Sequence, residues 1–200
     1  MSIVNDVKIA NLALSALGAD RIMSLTENTT NAKRINEVYI ILRDEVMSAH
    51  PWNFALKRTT LAQLSSTPVI GYSYAHQIPT DSLRVLNVFN GTEETNEITD
   101  FKIENDAILS NYTPLYCRYI YRNEDPTKYS TTFATAFSAR LAAELAYPIT
   151  NSNTLGKVML EVYQEKLRIA RVMDAQESGL PDTLDNEFWI DSRIGPVQRR

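Results

Sequence analysis

The hydrophobic period of this chain changes twice, and those two changes constrain its fold more than any other feature. Up to about residue 56 apolar side chains recur every three or four positions, from 57 they alternate, and from 130 they return to helical spacing. This order predicts helices at both ends of the chain and a sheet between them. The expected fold class is α+β, with helix, sheet and helix in that order. The helical segments are 1–56 and 130–179, the β-rich segment is 57–129, and 180–200 is left as an extended C-terminal tail.

Local signals support each element. Residues 5–17 place Val7, Ala10, Leu14 and Leu17 on one face, and Gly18 follows where a left-handed cap belongs. Asn28, Thr29 and Thr30 offer N-caps for a second helix carrying Ile35, Val38, Tyr39, Leu42 and Val46, which Pro51 stops. Strand candidates are 57–64, 72–78, 83–90, 97–103, 107–110 and 115–122, with Asn105-Asp106 suited to a tight hairpin turn. In 115–122, one face holds Leu115, Cys117, Tyr119 and Tyr121, and the other carries the guanidinium groups of Arg118 and Arg122. Residues 130–147 contain only two charges and set Phe133, Phe137, Leu141 and Leu145 four apart, so this is the most buried helix, and Pro148 is expected to end it. Its small residues Ala136, Ala139, Ala143 and Ala146 would let another helix approach closely. A long helix over 151–177 follows, terminated by Gly179 and Pro181.

The residues that carry chemistry form no familiar constellation. His50 and His76 lie in different elements without ligand spacing around either, and Cys117 is the single cysteine and reads as a core thiol. No metal site and no cofactor are expected. With six glycines and no Gly-rich loop, a phosphate cradle is not expected either. The carboxylate pairs Glu93/Glu94 and Asp185/Glu187 could in principle flank a glycosidic bond, but they sit in polar sequence without the apolar surroundings that would raise one pKa. Arg140 and Glu144, four apart on the nearly uncharged helix, suit an intrahelical ion pair, with charges on a neighbouring subunit as the other option.

Charge and partners follow from the same reading. Twenty basic residues against twenty-four acidic ones give a net charge of −4 and no basic stripe, which disfavours sequence-specific DNA binding. There is no apolar run of about 18 residues and no basic region ahead of an apolar core, so no membrane association is expected and the chain should stay in the cytoplasm where it is made. The tail groups Phe188, Trp189 and Ile190 and then carries Arg193, Arg199 and Arg200. Aromatic and arginine anchors of this kind mark interface centres, so these six residues are the candidate contacts to a partner or a neighbouring subunit.

Four strings, met in order, make nearly the whole chain resemble a known family. They are Asn11-Leu12-Ala13-Leu14-Ser15-Ala16-Leu17-Gly18, then Arg43-Asp44-Glu45 leading into His50-Pro51-Trp52-Asn53-Phe54-Ala55, then Ile78-Pro79-Thr80-Asp81-Ser82-Leu83-Arg84-Val85, and finally Arg140 to Thr150. The chain resembles the head-to-tail adaptors of short-tailed bacteriophages, called tail tubular protein A or gatekeeper proteins. The resemblance implies a helical bundle built from the N- and C-terminal segments, 1–56 and 130–179, with a central antiparallel β-rich insertion, 57–129, and a structural virion protein and not an enzyme. It implies a ring of identical subunits, a dodecamer, seated at the head-tail junction between the portal protein and the tail nozzle protein. DNA would pass through the ring without sequence-specific binding, and the acidic net charge suits passage without adhesion. Two alternatives stay open: a tail-associated polysaccharide-degrading enzyme, and another connector such as a tail-completion or terminator protein.

Overall fold

The computed structural model describes residues 4–177, which form four α-helices and seven strands in the order two helices, seven strands, two helices. The fold is α+β. Helix α1 (Asp6–Ala16) starts at Asn5, whose side-chain oxygen accepts the Lys8 N–H at 2.8 Å, and Gly18 then leaves the helix at φ +67°. Helix α2 (Thr30–Ser48) is capped by the Thr29 hydroxyl and buries Ala32, Ile35, Tyr39, Leu42 and Val46 at helical spacing. Helix α3 (Thr131–Thr150) begins at Ser130, and Phe133, Phe137, Leu141 and Leu145 along it are all buried. Helix α4 (Asn153–Glu177) is about 38 Å long at 1.5 Å per residue and packs along α3.

Pro148 does not end α3 as its residue type predicts. The helix continues to Thr150, because a proline this close to the end costs a single backbone bond, to the Glu144 carbonyl. The neighbouring carbonyls are taken up locally. The Asn151 N–H reaches Tyr147 O at 2.8 Å from a left-handed backbone (φ +55°), and the Thr150 hydroxyl reaches Ala146 O at 2.6 Å. The predicted close approach on α3 is used by α4. A side-chain carbon at Gly156 would lie 3.7 Å from both Ala143 O and Ala146 Cβ.

Between the helix pairs lie two antiparallel sheets. Strands β1 (Leu56–Thr60), β7 (Tyr116–Tyr121), β3 (Ser82–Phe89) and β4 (Glu97–Ile98) form one in that spatial order, and β2 (Tyr74–Gln77), β6 (Ala107–Ser110) and β5 (Phe101–Glu104) form the other. The β5–β6 hairpin turns at Asn105 and Asp106, both at positive φ, as the two-residue turn requires. The candidate strand 97–103 is corrected: it is two strands in different sheets, β4 against β3 and β5 against β6. Candidate 57–64 is shorter than expected as well, ending as a strand at Thr60 with one further bridge between Gln63 and His76.

Strand β7 serves two cores. Cys117 and Tyr119 point into a small cluster with Leu61, Val88, Ile108 and Leu115, whereas Ile120 on the opposite face is enclosed among the helices. Alternation alone assigned that second face to its arginines, but the helical body covers one end of it. The larger cluster draws on all four helices and on Trp52 and Ala55 of the link into β1.

Candidate functional site

The tail residues Phe188, Trp189, Ile190, Arg193, Arg199 and Arg200 lie outside the described residues, as does the pair Asp185/Glu187. Arg140 and Glu144 lie within them. The Arg140 guanidinium donates from Nη1 to Glu144 Oε2 at 2.8 Å, and its remaining face makes a two-point contact with Glu45, at 3.0 and 3.1 Å. The intrahelical pair is therefore half of the arrangement. The other half fastens α3 to α2, and Glu45, 95 residues away in sequence, carried no signal that would have paired it with Arg140.

Glu45 is one of three consecutive charged residues on α2 that between them reach two other parts of the molecule. Arg43, with its side chain 7% exposed, contacts Asp44 at 3.1 Å and Glu124 at 3.4 Å. Asp44 accepts the Arg122 Nε–H at 2.7 Å. Glu45 holds Arg140. The string Arg43-Asp44-Glu45 thus binds α2 to the segment leaving β7 and to α3, a charged seam along the joint between sheet and helices.

A second joint closes the far end of α2. After Pro51 the chain folds back so that Trp52 has no solvent exposure and its indole N–H donates to Val46 O at 3.0 Å. Phe54 meets Phe133 and Tyr129 with ring centroids 4.9 and 5.3 Å apart. Asp174 of α4, 4% exposed, accepts the Asn53 backbone N–H at 3.2 Å, and its own carbonyl accepts from the Asn53 amide at 2.8 Å. His50 Nε2 lies 3.3 Å from Asp174 Oδ2. Burial holds the His50 pKa below the ordinary histidine value, with Asp174 pulling upward and Arg171 and Arg84 pushing further down.

Both of those arginines also cap α2. Arg84 Nη1 donates to Ser48 O at 3.0 Å and Arg171 Nη2 to Ala49 O at 3.1 Å, placing cations at the negative end of the helix dipole. Loop contacts extend the pattern to the N-terminal string: Asn11 both donates to Ile22 O and accepts from Ile22 N, at 2.9 Å each. Asp81 is shared by Lys57 at 2.7 Å and the Tyr119 hydroxyl at 3.0 Å, which holds its carboxyl below the usual range.

Of the remaining reactive types, Cys117, Glu93 and Glu94 line one pocket, and His76 lies apart from it in the second sheet. The Cys117 thiol is pushed up to about 11 by burial alone, so it stays protonated at neutral pH. His76 is fully enclosed, and neither ring nitrogen makes a well-formed hydrogen bond. Burial lowers its pKa, and the Ile108 backbone across the ladder offsets this only in part. Glu94 pairs with Arg58 at 2.6 Å in an exposed loop, and Glu93 accepts from Thr95 in the same loop. Among the described residues no group of three or more histidine, cysteine or carboxylate side chains could hold a metal ion, and no helix is long and apolar enough to cross a membrane. Beside Arg58 and Cys117 a pocket of about 150 Å³ opens between Phe89, Gly91 and Tyr116.

What the groups around α2 build is a set of joints: ion pairs and caps that fix helices against a sheet and against each other. No protein-family model matches the chain, and no curated protein matches its sequence.

Proposed function

We propose that this protein is a structural component of a short-tailed bacteriophage virion, a head-to-tail adaptor that sits as a ring, a dodecamer, between the portal protein and the tail nozzle protein and continues the DNA channel. It acts by assembly and not by turnover. The observation that carries the reading is the interlocking of Arg43-Asp44-Glu45, His50 to Ala55, Arg84 and Arg140. These belong to the strings that gave the resemblance, and they tie the helices to one another through Arg140–Glu45 and Asn53–Asp174 and fasten that body to the β-rich region through Asp44–Arg122 and Arg84–Ser48. A ring subunit needs such rigidity, because a head-to-tail contact closes into a ring only if each copy presents its two different surfaces at one fixed angle. The tail anchors Phe188, Trp189, Ile190, Arg193, Arg199 and Arg200 are assigned to the portal or to the neighbouring subunit. DNA passes through the ring without sequence-specific contacts, and the site of action is the head-tail junction.

Negative-stain microscopy with mass photometry tests this, on the protein alone and mixed with the portal protein encoded beside it. A ring, or addition of about twelve copies to the portal, is the expected outcome. No association with the portal in either state overturns the reading, and binding to a different virion layer reassigns the chain to another connector type.

A further inference from the structure

The three-stranded sheet has one edge that the rest of the described chain leaves open. Its β2 edge is covered: Leu64 N–H donates to Ala75 O and Gln77 N–H to Ala62 O, both at 2.8 Å, and Gln63 bridges to His76. On the β5 side the hairpin turn decides where the backbone groups point. Glu104 lies opposite Ala107 and Lys102 opposite Leu109, and a two-residue turn closing on Glu104 and Ala107 aims the N–H and C=O of Glu104 and Lys102 at β6. Those of Phe101 and Ile103 point outward, and no group among the described residues pairs with them. Ile103 is 51% exposed at the middle of this edge. The strand also lacks the devices that keep edges apart, having no proline, no bulge and no run of like charge.

We infer that β5 pairs antiparallel with β5 of a second copy of this chain, about a two-fold axis at Ile103. Charge selects both the occupant and the register. Outward-pointing groups bond only to outward-pointing groups, so within the length of the strand Ile103 lies opposite Phe101, Ile103 or Asn105 of the other copy. Opposite Phe101, Lys102 would face Lys102, and opposite Asn105, Glu104 would face Glu104, and like charges directly across a ladder destabilise it. Centred on Ile103, each Lys102 faces Glu104 of the other copy, and the symmetry makes this pair twice.

Both charges are exposed and neither has an ion-pair partner among the described residues, so they are available for the contact. Apolar surface comes from the two Ile103 side chains on one face of the sheet. On the other face Val69 and Ile70 line a pocket with Glu104, Ala107 and Leu109, which places these nearly fully exposed side chains beside the same edge. The contact spans a few residues, so the dimer is a weak one. A two-fold contact is separate from the head-to-tail contacts of a ring, so the inference does not rest on the adaptor reading.

Sedimentation velocity on the full chain at low salt, over roughly 5–200 μM, tests it. A monomer-to-dimer shift within that range is expected. Lys102→Glu and Glu104→Lys each set like charges across the seam and should each weaken the dimer about tenfold, with secondary structure unchanged. Mixing the two variants should restore it, because every pair across the seam is then Glu against Lys. Glu93→Lys, the same charge change at an exposed site away from β5, should leave the dimer as it was. A chain that stays monomeric through the range, a dimer that both variants leave intact, or a mixture no tighter than either variant alone overturns the inference. A ring of many copies sediments as a separate, larger species, so its presence or absence bears on the adaptor reading and not on this one.

Discussion

In the helical body Trp52, Ile35, Phe133 and Phe137 have no solvent exposure and share one cluster that reaches all four helices, whereas the enclosed residues of the β-rich region are Leu61, Val88, Ile108, Leu115, Cys117 and Tyr119. Polar groups differ in the same direction. The body pairs its buried charges, Arg43 with Asp44 and Glu124, and Asp174 with Asn53 and His50, while the β-rich region encloses His76 without a hydrogen bond at either ring nitrogen. Large apolar side chains stay in water in both regions, Val69 and Ile70 in the link between β1 and β2 and Met23 and Ile41 among the helices. A large core with its polar groups satisfied specifies one arrangement, and a small one with an unmet group is held less tightly. The comparison teaches that the joints lie within the helical body and where it meets the sheet, and that the smaller strand core further out opens more easily.

Truncation at the centre of the body tests this most severely. Trp52→Ala removes a fully enclosed indole and leaves a cavity among Phe54, Phe133 and His50, so it should cost about 3–5 kcal/mol and shift the guanidinium unfolding of the whole chain. A loss under about 1 kcal/mol would show that the body is not the stability centre. Asp44→Ala acts on the seam: it strips Arg43 of its nearest partner and the Arg122 guanidinium of the carboxylate it donates to, and Arg43 is buried. A loss of about 2 kcal/mol is expected by chemical denaturation, and restoring the charge with Glu at 44 should recover part of it.

The smallest effect is confined to one pH window and sharpens the contrast. Burial lowers the folded pKa of His76 below 6.5, so between that lowered value and 6.5 the unfolded chain binds more protons than the folded one. The stability is fully present above pH 6.5 and falls as the pH drops from there toward the lowered value. Protection factors in β2 and β6, which correct for the slower intrinsic exchange at low pH, should fall from pH 7 to pH 5 by more than those in α3. His50 is shifted in the same direction in the body, so His76→Leu is the discriminating variant: it should remove the extra acid sensitivity of the strands and leave that of the helices.

Much of the architecture was legible because it depends on near neighbours. The caps at Thr29 and Gly18, the turn at Asn105-Asp106 and the buried row of Phe133, Phe137, Leu141 and Leu145 are decided within about four residues of sequence. The candidate site was legible only by half. Arg140 and Glu144 announced themselves by spacing, but Glu45, Glu124 and Asp174 are ordinary surface-type residues until the fold brings a cation or an amide to them. Of α4 the sequence yielded extent and amphipathic spacing, and not which of its apolar residues remain in water.

The sequence by itself determined the order of helices and strands, their starts and most of their ends, and the identity of the most buried helix, because hydrophobic period, capping and turn chemistry are local. The tertiary structure alone decided that 97–103 divides between two sheets, that α3 passes through Pro148, that Ile120 belongs to the helical core and that Arg43-Asp44-Glu45 forms a seam. The seam rests on partners 78 to 95 residues apart, Asp44 with Arg122 and Glu45 with Arg140, which only packing the whole chain brings together, whereas the division of 97–103 turns on which of two nearby strands each half pairs with.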